Sequence, residues 1–361
     1  MNYFDPAKTA EAVRSKMMKD GKFLVARLEG AGQEPQPEKL LDSYFRYKEY
    51  IHNPEWQNTP AEDIWNSKFI GLTDNFKNKP IRDVKILEYQ NPAYSAAYNL
   101  GGDPRDYNKV FTVQLSGCDY DCSYCYVPKQ INIADQTLGK YFSGAEIVDN
   151  FLAARSKSDA PMKVIRLSGG NPTIVPEIII DVYRAIKAKN AGAYLWVDSN
   201  LSTPRYMESL GNDLRDILNQ KDVGVVGCFK GFTAEDFAML VGAKPEVFEQ
   251  QFETAAWFLE QKTDFFVYLP ALVYGNVEEK SMSFAKKLNS INKNLALRTE
   301  MLEIIDYPGA TSNYERTAKL GRPMPTTDQR EVFDTWYNMI LPQFYNAHDL
   351  KKFCCQIPLY E

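Results

Sequence analysis

Histidine is scarce in this sequence of 361 residues: it has only His52 and His348. Two isolated histidines argue against a histidine-rich zinc or non-haem iron site. No apolar run is long enough to span a bilayer, and the N-terminus has no basic region followed by an apolar core. We therefore expect a cytoplasmic protein with no membrane partner.

The chain also lacks blocks of like charge, low-complexity tracts and a repeat of fixed period. Its formal net charge is −5, and no basic cluster resembles an electrostatic footprint for nucleic acid. Hydrophobic residues make up 44% and charged residues 25%, as in ordinary globular domains. We expect no nucleic-acid partner.

Strand and helix patterns alternate between residues 106 and 310. The predicted strands are Val110–Ser116, Lys163–Leu167, Ala193–Val197, Val223–Phe229, Phe265–Val273 and Leu295–Ile305. The predicted helices between them are Ser143–Lys157, Val175–Lys189, Pro204–Asn219, Pro245–Lys262 and Val277–Asn289. Six such units predict an α/β fold, a partial (β/α)6 barrel whose active site lies at the carboxyl ends of the strands.

The two flanks of this region have different patterns. Residues 1–105 are interpreted as an N-terminal mixed helical extension packed on the barrel. It has helical patterns at Ala7–Met18 and Glu38–Tyr50, a possible strand at Val84–Tyr89 and a loop at Asn91–Asp106. Residues 311–361 are predicted to be a C-terminal helical segment, with its helix at Thr326–Leu341. The expected parts are therefore 1–105, 106–310 and 311–361.

Three of the six cysteines, Cys118, Cys122 and Cys125, crowd into eight residues after the first predicted barrel strand. A secreted disulfide framework spreads its cysteines along a short chain, so this cluster favours metal chemistry in a reducing compartment. Three thiolates on one loop can hold three irons of a cubane cluster and leave the fourth iron open. A structural zinc site would need a fourth ligand, and none lies close in the sequence.

The cysteine spacing, with the aromatic Tyr124 before the last cysteine, resembles the hallmark of the radical SAM superfamily. The resemblance extends from about Val110 to Ile305. It implies a 4Fe–4S cluster bound by the three cysteines and S-adenosylmethionine bound at the open iron. It also implies reductive cleavage to a 5′-deoxyadenosyl radical, and a flavodoxin or ferredoxin as the electron donor.

Further segments resemble family motifs at strand ends. Ser168-Gly169-Gly170-Asn171-Pro172 is similar to the Gly-Gly-Glu-Pro motif that binds the methionine amino group, with asparagine in place of glutamate. Asp198-Ser199-Asn200 resembles the Asp-Thr-Asn strand end of glycyl radical enzyme activases, whereas Met301–Tyr307 lacks their histidine. The resemblance implies these cofactor-binding residues: Tyr124, Ser168, Gly169, Gly170, Asn171, Asp198, Asn200 and Arg298. For Arg298, a structural ion pair is an equal alternative.

Two residues near the end of the fourth strand are candidate catalytic groups. Cys228 could donate hydrogen to a substrate radical, although a buried small hydrophobic role is the simpler interpretation. Lys230 occupies the place of a lysine at the equivalent activase strand end and could point into the site. The adjacent Cys354 and Cys355 are expected to be incidental.

Three functions fit these observations. The first is a radical SAM enzyme of activase type that abstracts hydrogen from a protein or peptide. The second is a radical SAM enzyme that acts on a small molecule, similar in layout to the 7-carboxy-7-deazaguanine synthases. The third is a non-catalytic iron–sulfur or zinc-binding protein, against which the missing fourth ligand argues. The residues do not identify the substrate.

Overall fold

The computed structural model describes residues 3–27, 39–40, 44–49, 92–107, 109–202, 204–305 and 308–360. Its strands, numbered along the chain, are β1 (Met18–Lys19), β2 (Lys22–Ala26), β3 (Lys39–Leu40), β4 (Phe45–Glu49), β5 (Lys109–Leu115), β6 (Gly139–Phe142), β7 (Met162–Gly169), β8 (Tyr194–Ser199), β9 (Val223–Cys228), β10 (Asp264–Pro270) and β11 (Thr299–Leu302). The predicted strand at Val84–Tyr89 lies outside the described residues.

The helices of the described residues are α1 (Pro6–Met17), α2 (Pro92–Leu100), α3 (Lys129–Asn132), α4 (Gly144–Ser156), α5 (Glu177–Ala188), α6 (Pro204–Glu208), α7 (Gly211–Leu218), α8 (Ala234–Val241), α9 (Phe248–Glu260), α10 (Val277–Ile291), α11 (Pro308–Lys319) and α12 (Gln329–Asp334). The last of these continues as a π-helical turn over Thr335–Ile340, in place of the continuous helix predicted for Thr326–Leu341. Single 3₁₀ turns connect several of these elements.

Six parallel strands form the centre of one sheet, in the order β5-β7-β8-β9-β10-β11. Along each strand, side chains point alternately to the helix-covered outer face and to the inner face. Phe111, Val113 and Leu115 lie in the outer core, while Val110 lies in the inner one. The strands in this order do not close into a ring in the part of the chain that the structure describes, so the predicted partial barrel is confirmed.

Residues before the barrel add strands to the same sheet. β4 pairs antiparallel with β5 from Phe45↔Val113 to Glu49↔Lys109, and β2 bonds to both β5 and β6. The predicted helix at Glu38–Tyr50 is therefore wrong. Phe45 stacks on Phe111 with the ring centroids 5.1 Å apart, and such a contact with a distant strand overrides the local helical pattern.

The amino end of the barrel is filled by a helix. In α2, the residues Pro92–Ala97 are all buried, and Ala93 and Tyr94 pack with Tyr194, Phe353 and other residues of the inner core. The predicted loop at Asn91–Asp106 is therefore wrong over this helix. Its small alanine side chains let the helix approach the inner face of the strands closely, which outweighs the turn-forming composition around it.

The sixth barrel strand is shorter than predicted. Residues Ala296–Arg298 form a 3₁₀ turn, and only Thr299–Leu302 pair with β10, instead of the whole predicted stretch Leu295–Ile305. Arg298 therefore lies in the turn before β11 rather than on the strand. No helix in the described part of the chain is long and apolar enough to cross a membrane.

Candidate functional site

The three clustered cysteines lie on the loop between β5 and α3, at the carboxyl end of the first parallel strand. Two backbone bonds fold this loop: Gly117 N donates to Ile131 O at 2.9 Å and Cys118 N donates to Asn132 O at 2.8 Å. Gly117 has φ of 108°, a conformation that favours glycine. All three thiols are free of disulfide bonds.

Amide groups donate to two of these sulfur atoms. Asn200 Nδ2 lies 3.6 Å from Cys118 Sγ, and Asn132 Nδ2 lies 3.5 Å from Cys125 Sγ. Burial raises the pKa of all three thiols, that of Cys122 to about 12, so they favour the neutral form until a cation compensates for the charge. Donors that face the sulfur atoms stabilise the thiolate form that binds metal.

The donor set fits an iron–sulfur cluster. It consists of three unpaired thiols on one loop together with amide donors to sulfur, an arrangement typical of protein-bound clusters. Each cysteine in such a cluster binds a different iron, so the thiols need not converge on one point. Among the described residues, no three His, Cys, Asp or Glu side chains are arranged to hold a single metal ion.

Lys230 follows β9 and is half-buried beside the cysteines. Burial disfavours its charged form, but interactions with the thiolates of Cys228, Cys122, Cys118 and Cys125 outweigh burial and raise the pKa of Lys230. The structure thus places one ammonium group within electrostatic range of all three clustered thiols. A positive charge here would stabilise an anionic cluster or a carboxylate bound next to it.

A buried polar network joins the cysteine loop to the ends of β7 and β8. Asn171 Nδ2 donates to Asp119 Oδ1 at 3.1 Å and to Asn200 Oδ1 at 2.6 Å, and Asn200 Nδ2 donates to Asp119 Oδ1 at 2.7 Å. Asn171 Oδ1 accepts from Thr173 Oγ1 at 2.7 Å. The side chains of Asn171 and Asn200, predicted to bind cofactor, are therefore engaged in holding three loops together.

Asp119 is the member of this network that the sequence did not single out. It is fully buried between Cys118 and Tyr120, and burial raises its pKa although hydrogen bonds from Ser202, Asn200 and Asn171 act in the opposite direction. A carboxylate inside a cysteine loop indicates little by itself, because its partners come from two distant strand ends. Its position next to Cys118 becomes informative only in the folded chain.

The glycine pair after β7 lies against the cysteine loop through its backbone. Gly170 N donates to Leu115 O at 2.9 Å, and Asn171 N donates to Gly117 O at 2.8 Å. A Cβ atom at Gly170 would stand 2.0 Å from Gly117 O. These glycines thus allow two strand ends to meet, and Ser168 is buried just before them.

Asp198, the last but one residue of β8, has its carboxylate in an ion pair inside the barrel. Arg166 Nη2 donates to Asp198 Oδ2 at 2.7 Å, and the guanidinium carbon lies 4.3 Å from the centroid of the Trp196 ring. Cys228, half-buried on the next strand, is close enough to both charges for them to affect the pKa of its thiol. Burial is the largest effect and raises that pKa to about 11. These groups form a charged lining below the cysteine loop.

Arg298 lies at the opposite end of the barrel from the cysteines. Its Nη1 donates to Asp264 Oδ1 at 2.8 Å, and its Nε donates to Cys354 O at 2.9 Å. Asp264 is the first residue of β10, so this pair marks the amino end of the sheet. The structure therefore favours the structural ion pair over a role of Arg298 in binding the cofactor.

The remaining candidates divide between the two ends. Tyr124 is half-buried and close enough to Cys122 for the two groups to interact electrostatically. Cys354 and Cys355 are buried with α2 at the amino end, away from the cysteine loop. Gln251, which no pattern in the sequence indicates, donates to Asn200 O at 3.0 Å and accepts from Lys230 N at 3.3 Å, and so connects the ends of β8 and β9.

Structural comparison finds distant similarity to several solved structures. Streptococcus suis SuiB bound to precursor peptide SuiA has 14% identity and a TM-score of 0.40, with 59% of this chain and 44% of that chain covered. The protein anSMEcpe with bound AdoMet has 16% identity and a TM-score of 0.42, with 63% and 57% covered. A radical SAM methyltransferase from Sphaerobacter thermophilus has 12% identity and a TM-score of 0.39, with 60% and 64% covered.

The chain thus spans less than half the length of the SuiB chain that it matches. The search of curated proteins returned no match. A scan against protein families matches residues 113–285 to the Radical SAM superfamily. This range begins in β5 and ends in α10, and it includes the cysteine loop, the glycine pair and Lys230. Residues 113–285 therefore form a radical SAM domain, and the resemblance that the cysteine motif predicted is confirmed.

Proposed function

We propose that this chain binds a 4Fe–4S cluster through Cys118, Cys122 and Cys125 and uses it to cleave S-adenosylmethionine reductively. The observation that carries the proposal is the position of three unpaired thiols at the carboxyl end of the first strand of a radical SAM domain. The bound cluster and S-adenosylmethionine together supply a 5′-deoxyadenosyl radical, and a flavodoxin or ferredoxin is proposed to supply the electron.

The chain's own residues have distinct roles in this proposal. Asn132 and Asn200 donate to the cysteine sulfur atoms, while Lys230 offsets negative charge beside them. The backbone after β7, from Ser168 to Asn171, is proposed to bind the methionine group, with Tyr124 and Asp198 bordering the same space. The side chains of Asn171 and Asn200 hold the strand ends in place and so act as positioning residues.

We propose a protein or peptide as the substrate. The sheet is open beyond β11 within the described part of the chain, which supports entry of an extended segment from the side. The amino end of the barrel is filled by α2, so a substrate would approach from the carboxyl end. Cys228 is proposed to contact the substrate, since it lies on the inner side of β9 near the Arg166–Asp198 pair.

The first experiment tests the cofactor chemistry. The full chain, reconstituted with iron and sulfide without oxygen, should form 5′-deoxyadenosine from S-adenosylmethionine when dithionite is added. Cys122→Ala should abolish both the signal of the reduced cluster and this product, because one iron loses its ligand. Cys355→Ala, at the other end of the barrel, is the matched control and should retain the product. Full turnover by the Cys122→Ala variant would disprove the ligand assignment.

A second experiment tests the substrate class. Fractions of an extract from the source cells are added to the reconstituted chain, and the stimulated formation of 5′-deoxyadenosine is measured. A stimulating fraction that loses its effect after protease digestion supports a protein or peptide substrate. Stimulation by a fraction of small molecules that resists protease would instead favour the small-molecule reaction.

A further inference from the structure

The segment that follows the barrel, residues 308–322, forms ion pairs and hydrogen bonds with the cysteine loop. Arg316 Nη2 donates to Asp121 Oδ1 at 2.6 Å, and Arg322 Nη2 donates to Asp121 Oδ2 at 2.6 Å. Lys129, from α3, donates to Asp121 Oδ1 at 2.7 Å. Asp121 lies directly before Cys122, so three cations from two segments meet one carboxylate beside a clustered cysteine. We name Asp121, Lys129, Arg316 and Arg322 the Asp121 cluster.

The same segment also contacts the backbone of the cysteine loop. Asn313 Nδ2, on α11, donates to Cys125 O at 2.8 Å and to Val127 O at 3.0 Å. Gly309 approaches so closely that a Cβ atom there would stand 2.1 Å from Tyr126 O. Arg322 Nη1 also donates to Asp121 O at 3.1 Å. The loop is thus fixed at Asp121, at Cys125 and at Tyr126 by residues that lie beyond the radical SAM domain.

The charges of the Asp121 cluster do not cancel. Two arginines and one lysine face a single carboxylate, and Arg322 and Asp121 are largely buried, with side-chain exposures of 5% and 13%. Water screens buried charges poorly, so the excess positive charge acts over the distance to the neighbouring thiols.

We propose that the Asp121 cluster positions the cysteine loop, and that its excess positive charge raises the reduction potential of the 4Fe–4S cluster that the loop binds. This inference rests on the proposed function. A bound cluster gains one negative charge when it is reduced, and neighbouring cations stabilise that extra charge. Arg316, Arg322 and Asn313 therefore act on the chemistry through the loop, as positioning residues.

The test is a redox titration of the reconstituted full chain, in which the paramagnetic signal of the reduced cluster reports the midpoint potential. Lys129→Gln and Arg316→Gln each remove one positive charge and should make the potential more negative. Asp121→Asn removes the carboxylate charge and should make it less negative. Opposite shifts from variants of the same contact separate an electrostatic role from simple loosening of the loop, which would move all of them alike.

Two further variants complete the design. Arg316→Lys keeps the charge and should restore the potential, while Arg184→Gln removes a charge from the exposed pair with Asp213 and should leave the potential unchanged. Lys129 is the most exposed cation of the cluster, so Lys129→Gln keeps the test open if the arginine variants lose iron. Unchanged potentials in Lys129→Gln, Arg316→Gln and Asp121→Asn, or shifts of one sign, would overturn the inference. A chain that binds no iron–sulfur cluster after reconstitution would instead contradict the proposed function.

Discussion

Individual buried amides and carboxylates determine the shape of the cysteine loop. Asp119 accepts hydrogen bonds from Asn171 and Asn200, and Asn200 also donates to Cys118 Sγ. Asp119, Asn171 and Asn200 are all buried, so removal of any one takes a hydrogen bond from its partners in a region that water does not reach. The asparagine at position 171, where the family motif has glutamate, suits this arrangement because its amide can donate to Asp119, whereas a carboxylate would repel it.

Gly170 offers a test of close backbone packing at the site. Gly170→Ala should lower both the iron content after reconstitution and the stability, the latter by about 1–3 kcal/mol, because its Cβ would displace Gly117 O next to Cys118. Iron per chain and chemical unfolding of the metal-free chain measure the two effects. Gly192→Ala is the control for iron content, since no atom lies within 4 Å of its Cβ position; its φ of 56° strains an alanine, so the two variants are not compared in stability. Full iron content in the Gly170→Ala variant would show that the loop tolerates the displacement.

The sequence predicted at which strand ends the site residues lie, but it did not predict which residues they contact. The three cysteines, the glycine pair and Lys230 all lie at the carboxyl ends of strands, as the strand–helix alternation predicted. Asp119, Gln251 and Asn313 could not be identified in advance, because each acts on a residue that is distant along the chain. The role of Arg298 was open in the sequence for the same reason, since its partner Asp264 begins a different strand.

At the scale of elements, the predicted helices and strands are correct where the local sequence alone determines the structure. The predicted helix Ser143–Lys157 is found as α4, where Ser143 and Glu146 form a capping box, and the predicted helix Val175–Lys189 is found as α5, from Glu177 to Ala188. The errors fall where tertiary contacts determine the structure, as in β4, which pairs with β5, and in α2, whose first six residues are all buried. Neither partner can be inferred from the segment itself.

The capping box at α4 yields a prediction with a defined pH dependence. The backbone N–H of Ser143 donates to Glu146 at 2.8 Å, and this bond, together with Lys22, lowers the pKa of Glu146 to about 2. A lowered pKa means that the stabilisation is complete above the unfolded value of 4.5 and is lost as pH falls towards the folded value. Glu146→Ala should therefore reduce the free energy of unfolding by about 0.3–1.5 kcal/mol at neutral pH.

Urea unfolding at a series of pH values measures this effect. The difference between the natural chain and Glu146→Ala should stay constant above about pH 5 and shrink below it, as the carboxylate becomes protonated. Glu146→Gln keeps a hydrogen-bonding oxygen without the charge, so its deficit should be smaller than that of alanine. A difference that remained constant down to about pH 3 would show that the carboxylate charge contributes nothing to the cap.

At the scale of the whole molecule, segments outside the radical SAM domain complete both ends of the barrel. The N-terminal strands extend the sheet, and Met17 packs against Gly117 at the start of the cysteine loop. Removing residues 1–80 would therefore remove part of the sheet that supports this loop. The described parts of the extension pack in the same core as the barrel strands, and α2 fills the amino end of the barrel.

Asp264 joins four parts of the chain at that amino end. Its carboxylate accepts hydrogen bonds from Ser95 and Asn99 of α2, from Tyr194 of β8 at 3.0 Å and from Arg298 at 2.8 Å. Arg298 in turn donates to the carbonyl of Cys354 in the C-terminal segment. One buried ion pair thus holds the barrel base together with the elements that precede and follow the radical SAM domain.

Arg298→Met tests whether this ion pair is structural or belongs to the site. Arg298 is 4% exposed, so its loss leaves the Asp264 carboxylate buried without a cation and should cost about 3–5 kcal/mol in the free energy of unfolding. Arg184→Met, in the exposed pair with Asp213, should cost at most about 1 kcal/mol. Denaturant unfolding of the metal-free chain measures both. At a temperature where Arg298→Met remains folded, the reconstituted variant should bind S-adenosylmethionine with unchanged affinity in calorimetry, because the cysteine loop lies at the other end of the strands. Normal stability combined with lost S-adenosylmethionine binding would instead place Arg298 in the cofactor site.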